Sequence, residues 1–145
     1  MNQSDIVLLD SNIPMYAAGA EHLYRQPCQW ILQQARTGAL RAVTDVEVHQ
    51  EILHRYLSIG LPLKAREVSE DFEVIVPSVL QLTLDEIRTA RRLSVAYPQL
   101  PARDLLHVAL MINRGIASIV SADRHFDSVR EIRRLDPSAL AQTHR

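Results

Sequence analysis

The sequence predicts a single α/β domain with parallel strands, because short apolar runs alternate with segments of helical periodicity along the whole chain. The runs 6–9 and 117–120 are apolar and short enough to be buried strands, and an aspartate follows each of them, Asp10 and Asp123. The chain has 145 residues, which suits one domain that buries its core without disulfides or structural metal. We therefore expect one compact unit over residues 1–138, with 139–145 as a short C-terminal tail.

The predicted elements follow from periodicity and from their start and stop residues. Pro27 and Gly38 bracket a helix at 27–37, and residues 101–115 form the clearest helix, with a proline at the start and a glycine at the end. The remaining expectations are a helix capped by Ser11 or Asn12, an apolar stretch at 40–43, helices beginning with capping-box spacing at Thr44/Glu47 and Thr83/Glu86, a helical segment after Pro62, a strand at 72–77 and a last short strand within 132–137.

Composition restricts the classes of function. The single cysteine, Cys28, cannot form an internal disulfide, and no apolar stretch approaches the roughly 20 residues that span a bilayer. The N-terminus has no basic region followed by a long apolar stretch, so we expect a cytoplasmic protein without a membrane partner. The formal net charge of −1 provides no global attraction to nucleic acid, so any such binding must come from local arginines and a metal site.

Four acidic residues are placed where they could share one cleft. Asp10 and Asp123 follow predicted parallel strands, whose carboxyl ends line the ligand crevice of open α/β sheets. Glu51 and Asp104 lie in helical segments that would follow such strands. Two carboxylates about 4 Å apart repel by roughly 4 kcal/mol at an effective dielectric constant near 20. A hard cation such as Mg²⁺ or Mn²⁺ relieves that repulsion, leaves positions open for phosphate oxygens and can activate water, so the pattern predicts metal-dependent chemistry on phosphate esters.

Four segments, in this order and at these separations, resemble the PIN domain and above all the VapC-type toxin ribonucleases: LLDSNIPMY, TDVEVHQEIL, PARDLLHVALMINRGI and SIVSADRHFD. The resemblance covers nearly the whole chain and implies a three-layer α/β/α fold with a central parallel sheet. The family's acidic positions are matched here by Asp10, Glu51, Asp104 and Asp123. Its hydroxyl positions are matched by Ser11 and Ser121. Two further positions that are often polar or acidic in the family are matched by Asn12 and Asp127. Pro14, where an aliphatic residue is usual, and Asp45, where a small hydroxyl residue is common, depart from the pattern.

The same resemblance implies a function and partners. A metal-dependent endoribonuclease would hold Mg²⁺ or Mn²⁺ through Asp10, Asp104 and Asp123, directly or through water, with Glu51 as a further ligand or as the group that orients the attacking water. Ser11, Asn12, Ser121 and Asp127 would support these acids. The toxin branch further implies an RNA substrate, a homodimer and a small antitoxin that blocks the cleft by packing against the apolar helices between residues 45 and 70.

Other interpretations stay open at the level of sequence. His49 and His54 are five residues apart, so they do not share the helix face that an i, i+4 zinc pair requires, and we expect His107 and His125 to pack or be solvated. A haloacid-dehalogenase-like phosphatase would need an aspartate where Asn12 stands. A catalytically silent module for RNA binding or protein interaction remains the main alternative. Arginine groups at 88–92 and 130–134 could bind RNA phosphates or be solvated surface.

Overall fold

The computed structural model describes residues 5–143. Its strands are β1 (Val7–Leu9), β2 (Ala42–Asp45), β3 (Val79–Leu80), β4 (Ser118–Val120) and β5 (Arg133–Leu135). Its α-helices are α1 (Asn12–Ala17), α2 (Arg25–Thr37), α3 (Val46–Ser58), α4 (Pro62–Ile75), α5 (Leu84–Ala96), α6 (Ala102–Arg114) and α7 (Pro137–Thr143), and a 3₁₀ helix spans Arg124–Ser128. Strands and helices alternate, as the sequence predicts.

The five strands form one sheet in the order β3-β2-β1-β4-β5, and every neighbouring pair is parallel. Leu9 on β1 is in register with Val120 on β4. The chain leaves β1 to build one half of the sheet and later returns to β4 to build the other half. The strand order therefore reverses between β1 and β4, and the carboxyl ends of two strands at such a point flank a natural crevice.

Helices cover both faces of the sheet, which confirms the three-layer α/β/α architecture. Along β1, Val7 and Leu9 point into a core packed by α2, α3 and α4, whereas Leu8 points into a second core packed by α5 and α6. Side chains of a strand alternate between faces, so a strand buried on both sides must be apolar throughout. The apolar run before Asp10 is thus the consequence of a central position in the sheet.

Local sequence explains where several helices begin and end. Gly38 ends α2 in the left-handed conformation, with φ of 83°, and Gly115 ends α6 with φ of 69°. The predicted capping box of α5 is confirmed: the Thr83 hydroxyl accepts from the Asp85 amide, and the Thr83 amide donates to Glu86 at 2.8 Å. The two glycines lie where the chain leaves a helix toward the next strand, and the capping box lies where it leaves β3 and enters α5.

Two predicted local features are wrong. Residues 72–75 belong to α4 rather than to a strand, since Ala65, Val68, Phe72 and Val76 are all buried and recur at the spacing of a helix face. The expected capping box of Thr44 and Glu47 does not form. The neighbouring residue caps α3 instead, and Thr44 points into the sheet, where its hydroxyl donates to the Leu9 carbonyl at 2.9 Å.

The chain end continues the fold beyond residue 138. Helix α7 runs to Thr143, with Pro137 and Ala141 buried and α2 as its packing partner. Asp136 caps this helix by accepting from the amides of Ser138 and Ala139. Residues 139–143 of the expected tail are therefore part of a packed helix, and the remaining two lie outside the described residues. None of the helices within residues 5–143 has the length and apolar character needed to cross a membrane.

Candidate active site

Polar side chains converge where the strand order reverses. Asp10 directly follows β1, and its amide donates to the Val120 carbonyl at the end of β4. Ser121 and Asp123 follow β4, and Glu51 on α3 and Asp104 in the first turn of α6 reach the same place from the helices. The four acids predicted from sequence therefore lie at one sheet edge, in two adjoining groups.

The inner cluster consists of Asp10, Glu51 and His107, whose ligand atoms lie within 4.8 Å of one another. His107 on α6 is fully buried, and its Nε2 atom lies 2.6 Å from Glu51 Oε1 and 3.9 Å from Asp10 Oδ1. Its Nδ1 atom lies 2.7 Å from Oδ2 of Asp45, which is also fully buried. The other oxygen of Asp45 accepts from the Val48 amide and so caps α3. Asp45 and His107 thereby connect the start of α3 to the middle of α6.

The outer cluster consists of Asp104, Asp123 and His125, again with ligand atoms within 4.8 Å of one another. Asp104 is only 4% exposed, and its Oδ2 atom is buried without a hydrogen-bond partner. Asp123 is half-buried and accepts from the His125 amide, which begins the 3₁₀ helix. The His125 ring is exposed, with Nδ1 at 3.2 Å from Asp123 and 3.7 Å from Asp104. This cluster faces solvent more than the inner one does.

Three short polar side chains hold the inner acids in place. Ser121 donates to Asp10 Oδ2 at 2.6 Å, and Asn12 donates to both Ser121 and Asp10. The Ser11 amide donates to Asp10 Oδ1, while its hydroxyl donates to Glu51 Oε2 at 2.7 Å. Ser11 occupies the N-cap position of α1 but makes no side-chain cap bond. Its hydroxyl instead serves the acidic cluster, since a carboxylate is the stronger acceptor.

A family profile described as the PIN domain matches residues 7–132, which includes every residue of both clusters. The chain belongs to the PIN-domain family. This PIN domain is 42% identical over 134 residues to Ribonuclease VapC13 of Mycobacterium tuberculosis and, by the same measure, to a VapC ribonuclease of Mycobacterium bovis; each alignment covers 90% of this chain and 99% of the relative. Ribonuclease VapC23 of Mycobacterium tuberculosis is 31% identical over 122 residues, covering 81% of this chain and 93% of the relative.

Solved structures share the fold of this PIN domain at low sequence identity. VapBC2 from Rickettsia felis, bound to a DNA fragment from its promoter, superposes with a TM-score of 0.70 at 13% identity, over 90% of this chain and 97% of the other. A toxin–antitoxin complex from Klebsiella pneumoniae superposes with a TM-score of 0.63 at 12% identity and the same coverage. At such identities the likeness concerns the fold alone.

Burial and crowding perturb the acids of the PIN domain. Burial, followed by the charges of Asp10 and Asp123, raises the pKa of Asp104 to about 6. Burial also raises the pKa of Asp10, an effect that the nearby His107 partly offsets. Burial disfavours a charged imidazole, but the charge of Asp45, hydrogen bonds to Asp45 and Glu51 and the charge of Asp10 outweigh it and hold the pKa of His107 well above its usual value. The cleft therefore concentrates negative charge that a cation would relieve.

Not every residue considered in the sequence lies where the pattern suggests. Asp127 is exposed and pairs with Arg134 at 2.8 Å rather than joining either cluster. Glu47, expected to cap α3, is half-buried, and burial together with the Glu51 charge raises its pKa. His107 is the residue that sequence reasoning missed. Its position one helical turn after Asp104 was the available signal, since residues i and i+3 share a face.

The donor set fits a hard divalent cation. The buried, unpartnered Oδ2 atom of Asp104 needs a positive partner, because an unsatisfied buried carboxylate oxygen is costly. Asp123 adds a second carboxylate beside it, and Mg²⁺ and Mn²⁺ are usually held by one or two carboxylates and waters. Within the described residues the outer cluster offers carboxylate oxygens and the His125 imidazole. It offers no thiolate, the ligand that a soft metal would require.

Proposed function

We propose that this chain is a metal-dependent endoribonuclease and the toxin of a VapBC-type toxin–antitoxin pair. The observation that supports the activity is the convergence of Asp10, Glu51, Asp104 and Asp123 at the carboxyl ends of β1 and β4 in a PIN domain. The names of relatives at 42% identity, aligned over nearly their full length, support ribonuclease rather than another phosphohydrolase. The retained acids argue against a silent binding module.

Asp104, Asp123 and Asp10 would hold Mg²⁺ or Mn²⁺. Asp104 supplies the unpartnered oxygen, and Asp10 lies close enough to raise the pKa of Asp104. A divalent cation supplies Lewis acidity toward a phosphodiester and makes water a better nucleophile near neutral pH. The role of the protein is then to keep the carboxylates in place despite their mutual repulsion. Ser11, Asn12 and Ser121 do this for Asp10 through hydrogen bonds, and Ser11 also bonds to Glu51.

Glu51 would orient the attacking water. Both of its oxygens are held, one by the Ser11 hydroxyl and one by the His107 ring, so the carboxylate has a fixed direction. Each carboxylate oxygen has a second lone pair, so Glu51 can still accept a proton or a hydrogen bond from water in the cleft. A fixed acceptor of this kind contributes by orientation, because a positioned nucleophile needs no further ordering in the transition state.

Exposed arginines beside the acids would contact RNA phosphates. Arg103 precedes Asp104 and Arg124 follows Asp123, and both are exposed. Arginine forms bidentate, charge-assisted hydrogen bonds with phosphate oxygens. Arg134 is less available for this role, because it already pairs with Asp127 and Asp136 and donates to the Ser121 carbonyl. RNA binding would thus rely on a few local arginines rather than on the net charge of −1.

The proposed antitoxin would cover the apolar face of α3, α4 and the turn between them. Half of the exposed large apolar side chains among the described residues lie between 46 and 63, namely Val46, Leu53, Leu57, Ile59, Leu61 and Leu63. Such a concentration on one surface is typical of a protein interface.

We also propose a homodimer, which sedimentation equilibrium of the purified protein would test by its molar mass.

A cleavage panel tests the activity. Purified protein is incubated with labelled RNAs and single-stranded DNA in Mg²⁺, Mn²⁺ or EDTA, beside an Asp10→Asn variant prepared in the same way. We expect cleavage of RNA that requires the cation and is lost in the variant. Equal cleavage by Asp10→Asn would reveal a contaminating nuclease, and cleavage of DNA alone would overturn the assignment of RNA as substrate.

A further inference from the structure

Three aromatic side chains that the proposed chemistry does not use lie in mutual contact: Tyr16, His22 and Tyr24, called here the aromatic cluster. The Tyr16 and His22 rings stack with centroids 4.6 Å apart, and the Tyr24 ring lies 5.7 Å from His22, inclined by only 23°. Both tyrosines are half-buried and pack against the core, whereas His22 is exposed. The Tyr24 amide also donates to His22 Nδ1 at 3.1 Å. An exposed ring is thus held in place by two tyrosines that the core anchors.

The aromatic cluster lies at the same edge of the sheet as the acids. Because β1 and β2 are parallel, the connection between α1 and α2 starts from the carboxyl end of β1, and α2 returns the chain toward the amino end of β2. Tyr16 follows Asn12 by one turn of α1, an axial rise of about 6 Å. Asn12 itself donates to Asp10 and Ser121. The rings therefore flank the cleft rather than the opposite edge of the sheet.

Tyr24 connects the aromatic cluster to the other side of the cleft. Its hydroxyl donates to Asp136 at 2.8 Å. Asp136 pairs with Arg134, which donates to the Ser121 carbonyl at 2.9 Å. The bond to Asp136 raises the pKa of Tyr24, and the charge of Arg124 acts against that shift. Arg124, one of the proposed phosphate contacts, therefore lies near the aromatic cluster.

A groove of about 680 Å³ opens between the exposed ring, the start of α2 and α7, and its volume lies within the roughly 300–1,000 Å³ typical of small-ligand sites. Its lining includes His22, Leu23, Gln26 and Gln142. Leu23 is 73% exposed and adds an apolar surface that the core does not use. The acid in the lining, Glu21, lies 3.9 Å from Arg25, so its charge is partly offset. The groove thus combines an aromatic ring, an apolar side chain and two amides.

We propose that this groove binds an unpaired base of single-stranded RNA, which stacks on the aromatic cluster while the neighbouring phosphates extend past Arg124 into the cleft. Unpaired RNA bases are recognised by stacking on aromatic side chains, including Tyr and His, and by hydrogen bonds along their edges. The amides of Gln26 and Gln142 both donate and accept, as the edge of a base requires. The inference rests on the proposed ribonuclease activity and specifies its substrate as RNA that is single-stranded beside the scissile bond.

RNA binding without turnover tests this inference. All proteins carry Asp10→Asn, and fluorescence anisotropy in Mn²⁺ follows the binding of labelled oligo(A), oligo(U) and oligo(C) and of an RNA duplex. We expect His22→Ala to weaken the binding of the single strands by at least about fivefold, the lower end of what one stacked base contributes. His22→Phe keeps a ring and should remain within about twofold of its parent, since stacking does not need the imidazole nitrogens. Duplex binding should not change, because paired bases cannot stack on a protein ring.

His54→Ala is the matched control, because it removes an exposed histidine from α3, and it should bind RNA as its parent does. Equal binding of the single strands by His22→Ala and its parent would overturn the proposal. A loss in His22→Phe as large as in His22→Ala would also overturn it, because the effect would then belong to the imidazole nitrogens rather than to stacking. If His22→Ala keeps its RNA affinity but escapes inhibition by the antitoxin, the groove contacts protein and the proposal is wrong.

The same measurements separate this inference from the proposed activity. RNA that binds through His22 but is never cleaved by the protein without Asp10→Asn would contradict the ribonuclease activity alone. RNA that is cleaved with the same kcat/KM by His22→Ala and by the wild type would contradict this inference alone.

Discussion

At the scale of single residues, burial affects the pKa of Asp104 more than its position at the start of a helix does. Asp104 stands in the first turn of α6, where the helix dipole favours a carboxylate by about 0.3–1 kcal/mol. Burial and two neighbouring acids act in the opposite direction and raise the pKa of Asp104 to about 6. The burial effect exceeds the dipole effect, so the metal-free carboxylate is destabilised in its charged form.

The stability of the metal-free protein should depend on pH through Asp104. Since its pKa is raised from 3.8 to about 6 on folding, the protonated form stabilises the fold; that contribution is present below about pH 4 and is lost as pH rises through about 6. Asp104→Asn mimics the neutral form. We expect it to be more stable than the wild type by roughly 3 kcal/mol at about pH 7.5 and by roughly 1 kcal/mol at about pH 4.5, taking about 1.4 kcal/mol per pKa unit.

Urea unfolding in EDTA at both pH values measures this difference. Asp85→Asn on the exposed side of α5 serves as the matched control, because Asp85 pairs with the exposed Arg88 and its replacement should change stability little at either pH. A variant Asp104→Asn that is less stable than the wild type at both pH values would show that the carboxylate of Asp104 stabilises the fold.

Sequence reasoning pointed to the four acids and to Ser11, Asn12 and Ser121, which lie together in the structure, but it did not point to Asp45 and His107. Asp10 and Asp123 could be located because each follows an apolar run, and Glu51 and Asp104 because the resemblance covers their segments. His107 stands one helical turn after Asp104, but that position alone did not assign its role, because a histidine on an apolar helix face is also typical of a packed core. Only the structure shows that Asp45 and Glu51 lie within 2.7 Å of its two ring nitrogens.

At the scale of elements, α3 and α5 show two different ways to cap a helix. Thr83 and Glu86 form a local capping box whose members are three residues apart, and such spacing is visible in sequence. Asp45 caps α3 and also bonds to His107 on another helix, 62 residues away. The Thr44/Glu47 spacing predicted the wrong cap because a tertiary contact decides which side chain turns inward.

Removing the two caps should therefore have unequal costs. Thr83→Ala loses a local cap and is expected to destabilise the protein by about 1 kcal/mol. Asp45→Ala also leaves the buried His107 without its partner, and breaking a buried pair in this way costs about 3–5 kcal/mol. Urea unfolding of both variants measures the difference. A cost for Asp45→Ala no greater than that for Thr83→Ala would contradict the described role of the Asp45–His107 bond.

The predicted strand at 72–77 was wrong for a related reason, since tertiary packing again decides the local structure. Phe, Val and Ile favour strands intrinsically, and the following Pro77 ends any regular element. In the structure the same residues continue α4, because Phe72 and Val76 extend the buried face begun by Ala65 and Val68. Short apolar segments of about six residues are compatible with either periodicity, and packing decides between them.

At the scale of the whole molecule, the sheet order explains why the site is where it is. Reversal of strand order between β1 and β4 opens a crevice at their carboxyl ends, and the chain places Asp10 and Ser121 directly after those strands. The alternation of strands and helices made this much predictable from sequence. The strand order itself and the two-residue strand β3 were not predictable, because they depend on which helices pack on which face.

We expect that a substitution on the apolar face of α3 and α4 can weaken antitoxin binding without changing catalysis in the cleft. Leu63 is 80% exposed near the start of α4, and Val95 is 84% exposed on α5. We expect Leu63→Glu to weaken inhibition by the cognate antitoxin at least tenfold while RNA cleavage stays unchanged, since a buried unpaired charge disfavours an interface. Val95→Glu is the control with matched exposure and should be inhibited normally. Unchanged inhibition of Leu63→Glu would move the proposed antitoxin surface elsewhere.

The most direct test of the central claim is the rate of RNA cleavage by Asp104→Asn relative to the wild type and to Asp85→Asn, each with Mn²⁺ and with EDTA. Even partners outside the coordination shell of a metal are worth about 10- to 100-fold in affinity or activity. We therefore predict a loss of about 100-fold or more for Asp104→Asn in Mn²⁺, with Asp85→Asn at the wild-type rate and no cleavage by any variant in EDTA. Cleavage by Asp104→Asn at the wild-type rate, or wild-type cleavage that persists in EDTA, would contradict a metal-dependent nuclease built on these acids.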